Sequence, residues 1–199
     1  MKMHPADLLL QTLRARVTVP DDEFAAYFAL MELRSFAKGE IIIPQGGVQR
    51  FNIFIAKGCI RTFHTGADGV EKTVHFAEEG YWTGDPESLR SGVPTKNGFQ
   101  ALEATETLTL TKDQWEHTYR KYGWLAEFYA LGIQRRSTKF AEQIGRVMAD
   151  TPEMNYLRLL KERPTLVQRV PLYYIASYLG ISPETLSRIR KKIAEGGIS

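Results

Sequence analysis

The chain has 199 residues, 43% of them apolar and 25% charged, with one cysteine and a formal net charge of +3. That is enough chain for a buried core and a second, smaller unit. It excludes a membrane-spanning helix, since no apolar run approaches the roughly 18 residues required, and it excludes an intramolecular disulfide or a cluster site drawing three or four thiolates from one chain.

The N-terminal MKMHPADLLLQTLRARV has only LLL as an apolar run before charges return, so it does not fit a signal peptide and a cytoplasmic protein is expected. Helical patterns cover residues 7–16 and 20–30. The second opens on Pro20, Asp21, Asp22 and Glu23; a proline at the first helical position and carboxylates facing the positive end of the helix dipole suit a helix start.

From Leu33 to Thr111 the language changes to short runs rich in β-branched and aromatic residues: EIII, FNIFIA, CIRTFH, EKTVHF, GFQALEA and ETLTLT. Gly47, Gly58, Gly69 and Gly80 punctuate them at intervals of eleven, the spacing of hairpins folded into a sandwich or barrel. Ala67-Asp68-Gly69 is the clearest tight turn, because Asp-Gly accepts the positive φ that such a turn requires. The expectation is an antiparallel β-roll.

A short helix is predicted at 112–119 and a long one over 121–149, which contains no proline. Ala126, Ile133, Phe140 and Val147 recur there every seventh residue, with Ala130, Ser137 and Ile144 four positions after the first three. That is a heptad stripe, interrupted beside it by Arg136 and Gln143. A helix of about 28 residues would be about 42 Å long, more than a small β-domain can cover, and a second copy of the chain is the simplest partner for the remainder. Thr151-Pro152 ends it, a further helix is predicted from Pro152 to Arg163, and Pro164 is read as its stop, leaving TLVQRV extended.

The last pattern is YYIASYLGISPETLSRIRKK, Tyr173–Lys192, two helical segments split by Gly180. Ile175, Ala176, Leu179, Ile181, Leu186 and Ile189 fall where two crossed helices pack. Gly180 can take the left-handed conformation that ends the first helix, Ser182 can cap the second, and Pro183 and Glu184 suit its first turn. This is a helix-turn-helix, whose second member enters the major groove of DNA. Leu186, Ile189 and Ile193 form its buried side, and Ser182, Pro183, Glu184, Thr185, Ser187, Arg188, Lys191 and Lys192 are its candidate DNA-facing residues. The charge agrees: residues 1–111 carry a net −3 and residues 112–199 a net +6, a split that suits a polyanion at the C-terminal half.

On these motifs the chain resembles the Crp/Fnr superfamily of bacterial transcription regulators. KGEIIIPQGG, FNIFIAKGCIRTFH, DGVEKTVHF and EEGYWTGD are similar to the successive β-roll motifs of that family, and SPETLSRIRKK to its recognition helix. The resemblance implies an α+β chain with a jelly-roll, cyclic-nucleotide-binding-like effector domain at 1–120, a dimerisation helix at 121–150 with Ala126, Ile133, Phe140 and Val147 in the dimer interface, and a helix-turn-helix domain at 151–199. It implies a homodimer on a near-palindromic operator, RNA polymerase as a further partner, and base-edge contacts from Glu184 and Arg188. Pro183 stands where the family often has an arginine. Only seven residues follow Lys192, so any wing is expected to be rudimentary, with TLVQRV as one candidate strand.

The family's nucleotide sites pair a glycine-glutamate with an arginine ten residues on, the arginine binding the cyclic phosphate. Here the stretch is GDPESLRSGVPTK, which puts Asp85 at the acid and Thr95 at the arginine, followed by Lys96. Threonine cannot replace a bidentate, permanently charged guanidinium, so cyclic AMP is not the expected effector. The effector pocket is assigned to Trp82, Gly84, Asp85, Arg90, Thr95 and Lys96, its ligand unknown. No metal or haem site is expected, since His4, His64, His75, His117 and Cys59 lack a ligating context. No phosphate loop, nucleophile elbow or paired metal ligands point to an enzyme; Asp85 and Glu87 are read as solvated loop acids. The competing reading is a ligand-binding sensor that works through protein contacts and has little affinity for DNA.

Overall fold

The computed structural model describes residues 3–134 and 150–196. Two lead-in helices, α1 (Pro5–Arg14) and α2 (Asp21–Phe28), precede eight strands: β1 (Glu32–Phe36), β2 (Ile41–Ile43), β3 (Phe51–Lys57), β4 (Ile60–Thr65), β5 (Glu71–Ala77), β6 (Trp82–Thr83), β7 (Gly98–Ala101) and β8 (Thr105–Thr111). They form two four-stranded sheets, ordered β1-β8-β3-β6 and β2-β7-β4-β5, and every pairing is antiparallel. This is the expected β-roll.

Strand β3 shows why the roll holds together. Asn52, Ile53, Phe54 and Ile55 are all buried, which requires cover on both faces. On one face Ile53 and Ile55 meet Ile43, Ile60, Ala77 and Phe99 between the sheets. On the other, Phe54 joins Leu108 and Leu110 of β8 in a cluster with Leu9, Leu13, Tyr27, Trp124, Leu125 and Phe128 from the flanking helices. The period-2 alternation of β8 divides its residues between the two faces: its leucines enter the helical cluster, while Thr107 and Thr109 are buried with their hydroxyls donating to the carbonyls of Arg34 and Glu32.

Several predicted boundaries shift for local reasons. Pro20 is the cap before α2 rather than its first helical residue. Gly58, Gly69 and Gly80 have φ of 102°, 76° and 79°, but in the first turn it is Gly46, at 81°, rather than Gly47 that takes the left-handed region. A short helix, α3 (Pro86–Ser91), replaces the predicted loop; Asp85 caps it by accepting the N–H groups of Glu87 and Ser88 at 3.0 and 3.1 Å, and Glu87 pairs with Arg90. Asp85 and Glu87 are therefore helix-start acids, not loose loop carboxylates.

Helix α4 (Lys112–Lys121) opens on a capping box in which Thr111 and Gln114 exchange side-chain and backbone bonds. It ends at Tyr122, whose extended backbone (φ −108°, ψ 107°) separates it from α5, described over 123–134. The long predicted helix thus starts two residues late, after a break. Ser137, Phe140, Ile144 and Val147 of the heptad stripe, with the neighbouring Arg136 and Gln143, lie outside the described residues.

The C-terminal unit comprises α6 (Pro152–Glu162), α7 (Pro164–Arg169), α8 (Leu172–Leu179) and α9 (Pro183–Ala194). TLVQRV is helical up to Arg169, contrary to the extended reading. Pro164 ends α6 but sits at the first turn of α7, where its fixed φ and missing N–H cost nothing, so it works as a starter as well as a stop. A wing strand from this segment is thereby removed.

Candidate nucleic-acid interface and effector region

Helix α8 ends at Gly180, φ 70°, with Ile181 N–H donating to Ala176 O at 3.0 Å and Gly180 N–H to Ser177 O at 3.2 Å. These two bonds are the Schellman pattern, and a side chain at Gly180 would meet no neighbour, so the glycine is there for its backbone rather than for space. Ser182 Oγ then accepts the Thr185 N–H at 3.2 Å, and Pro183 occupies the first turn of α9. Ile175 and Ala176 of α8 are fully buried, as is Leu186, and Ile189 is nearly so. Leu179, Ile181 and Ile193 pack at the margin of the same cluster.

What remains outward on α9 is polar and basic. Ser182, Pro183, Glu184, Ser187, Arg188, Lys191 and Lys192 are exposed, with Thr185 partly covered. Arg190 is exposed as well and belongs with them; the RIRKK run carried that signal, and the recognition pattern passed over it. A hydrogen-bonded chain runs along this face, Ser182 Oγ to Thr185 Oγ1 at 3.2 Å and Arg188 Nη2 donating to Thr185 Oγ1 at 3.2 Å. It lays the guanidinium along the helix. Hydrogen bonds from its own backbone N–H and from Ser182 hold the Glu184 carboxyl below the usual carboxylate range, with Arg188 one turn on adding to the effect.

The six effector-region residues lie in separate surroundings. Trp82 lies on the helix-facing side of its sheet, its ring 4.5 Å from Phe54 and 4.9 Å from Phe128. Gly84 and Asp85 lie against buried Gln49, whose Oε1 accepts the Asp85 N–H, whose Nε2 donates to Phe51 O at 2.9 Å, and whose N–H donates to Ser88 Oγ at 2.9 Å. A Cβ on Gly84 would come within 2.4 Å of the Gln49 amide. Arg90 is exposed on α3. Thr95 is only 2% exposed; its N–H donates to Gly47 O at 2.7 Å, its carbonyl accepts from Gly46 N–H at 2.8 Å, and its hydroxyl donates to Asn97 O. The Lys96 carbonyl lies 3.0 Å from His64 Nδ1.

Residues 33–122 match the cyclic nucleotide-binding domain. Over 181 residues the chain is 23% identical both to the cyclic AMP receptor protein of Thermus thermophilus, covering 89% of this chain and 83% of the relative, and to the probable transcriptional regulator flp of Lacticaseibacillus casei, covering 88% and 82%. These likenesses support the Crp/Fnr resemblance read from the sequence motifs. Its fold is that of FixK2 from Bradyrhizobium japonicum, with a TM-score of 0.69 at 19% identity over 84% of this chain and 86% of that one. Both of these relatives carry the name of a receptor or a regulator, not of an enzyme. Among the described residues no cluster of three or more His, Cys, Asp or Glu could hold a metal ion, and no helix is long and apolar enough to cross a membrane.

Proposed function

We propose that this chain is a cytoplasmic, homodimeric, sequence-specific DNA-binding regulator that does not answer to cyclic AMP. One observation carries the DNA reading: α9 buries Leu186 and Ile189 against α8 while Glu184, Ser187, Arg188, Lys191 and Lys192 all stay in solvent. A helix presented in this way suits the major groove, its first turns at base edges and its lysines at phosphates. Ala126, Ala130 and Ile133 support the dimer. They share a face of α5 away from the buried Leu125 and Phe128, and Ile133 is 66% exposed. A second copy along that stripe would offer two recognition helices to grooves about 34 Å apart. On this reading residues 1–120 are the effector unit, 121–150 join the dimer and 151–199 read DNA, with RNA polymerase as a further partner.

A mobility shift on DNA from upstream of the chain's own gene tests the proposal. A discrete shifted complex that survives excess non-specific DNA is expected; an unshifted fragment would favour the protein-binding sensor instead.

The refusal of cyclic AMP rests on what occupies the effector region. Thr95 is buried with its hydroxyl engaged, no guanidinium stands in its place, and Gln49 fills the space before Gly84. A cyclic phosphate would have to displace that amide and would find no fixed charge to meet. Calorimetric titration with cyclic AMP and cyclic GMP should give no binding heat in the micromolar range. A micromolar affinity for either overturns this part.

A further inference from the structure

The C-terminal unit is seated on the β-roll, and its seat is acidic. Arg163, between α6 and α7, donates Nη2 and Nε to Glu78 at 2.7 and 3.0 Å, and Nη2 also to Phe76 O at 3.0 Å. Arg169, at the other end of α7, donates Nη1 and Nη2 to Glu79 at 2.9 and 2.7 Å and reaches Glu103 through Nε at 3.0 Å. One short helix is thus gripped at both ends by three carboxylates of the roll. Burial pulls the Glu79 carboxyl upward, but the bonds from Arg169 and from the Gly58 N–H outweigh it and hold the group below its ordinary range. Alongside, α8 lies on the outer face of β4 and β5. Thr73 N–H donates to Ser177 Oγ at 2.9 Å, and Arg61, bonded to Gln100 and Glu71, is stacked between the rings of Phe63 and Tyr174 at 4.4 and 4.2 Å. Cys59, Phe76 and Leu102 complete the apolar cluster of the C-terminal unit itself.

We propose that Glu78, Glu79 and Glu103 form an electrostatic latch that fixes the orientation of the helix-turn-helix unit on the β-roll, so that its presentation is set at this seam. Isolated surface ion pairs contribute little. Here two guanidiniums are each held by several charge-assisted bonds in a half-buried network, where removing one partner strands the other. The latch also withholds charge. Of the eight Lys and Arg between 151 and 199, Arg163 and Arg169 are committed to the roll and Arg158 to Asp150, leaving Lys161, Arg188, Arg190, Lys191 and Lys192 on the surface. An effector that separates the two bodies would need a higher affinity for the released state. The inference stands whether or not α9 reads DNA.

Hydrogen exchange on the full chain, without DNA, tests it. In the double variant Glu79→Gln/Glu103→Gln, amides of α7 and α8 should exchange at least tenfold faster while β3 is unchanged. The charge swap Glu78→Arg with Arg163→Glu should recover protection that either single change loses. Unchanged α7 and α8 would remove the latch. Acceleration of β3 to the same degree would make these carboxylates general stabilisers of the fold, and a swap that restores nothing would reduce the seam to apolar packing; either result overturns the proposal.

Discussion

Raising the salt concentration from 50 to 200 mM is expected to weaken operator binding by about four orders of magnitude. Along α9 the cations Arg188, Arg190, Lys191 and Lys192 are exposed, which brings about four positive charges per subunit and eight per dimer against the duplex, whether each meets a phosphate or a base edge. With a loss of about 0.9 per phosphate in the slope of log K against log salt, the slope is near −7. Filter binding or fluorescence anisotropy across that range reads it directly. A slope near zero would show that no polyanion is being neutralised and would end the DNA reading. The same measurement reports on the seam. If Arg163 and Arg169 left their carboxylates for phosphates, four more contacts per dimer would steepen the slope to about −11.

The value of −7 already departs from what bulk charge suggests. The net +6 of residues 112–199 is a fair count of residues but a poor guide to the field they project, because two of the arginines are spent on glutamates 66 to 90 positions earlier in the chain. Pairings at that separation leave no local pattern. Periodicity and turn chemistry do, which is why the β-roll, the Gly180 turn and the Ser182 cap were legible from spacing alone. Legibility failed where a residue had two readings of similar cost. Pro164 is a stop by one rule and a start by another, and the six residues of α7 are too few for a helical period to decide between them. DPESLRS reads as loop until Asp85 is seen accepting two backbone N–H groups. ELRSF hides as a strand because it is an edge strand, mostly in solvent, and so lacks the apolar alternation that marks β8, its partner. In the effector region, sequence alignment places six residues near one another, yet the strand pleat turns Trp82 toward the helices and the Gly46–Gly47 loop draws Thr95 into backbone bonds.

Replacing Arg188 by alanine should cost about 1 to 3 kcal/mol on the cognate site and relax the preference at one base position. The guanidinium is exposed on the first turns of α9, and its bond to Thr185 Oγ1, itself tied to Ser182, sets the direction in which the fork projects. Such a fork suits the two acceptors of a guanine edge. Arg188→Lys should not restore the preference, because an ammonium keeps the charge but not the paired donors. Binding selections on randomised operators with the wild type and both variants separate the possibilities. Base reading requires one position to lose its preference in both variants, with the lysine form recovering affinity on all sequences alike through its charge. If alanine instead weakens every sequence equally and lysine repairs that loss in full, Arg188 is a phosphate contact, and discrimination on α9 has to come from Glu184 and its neighbours.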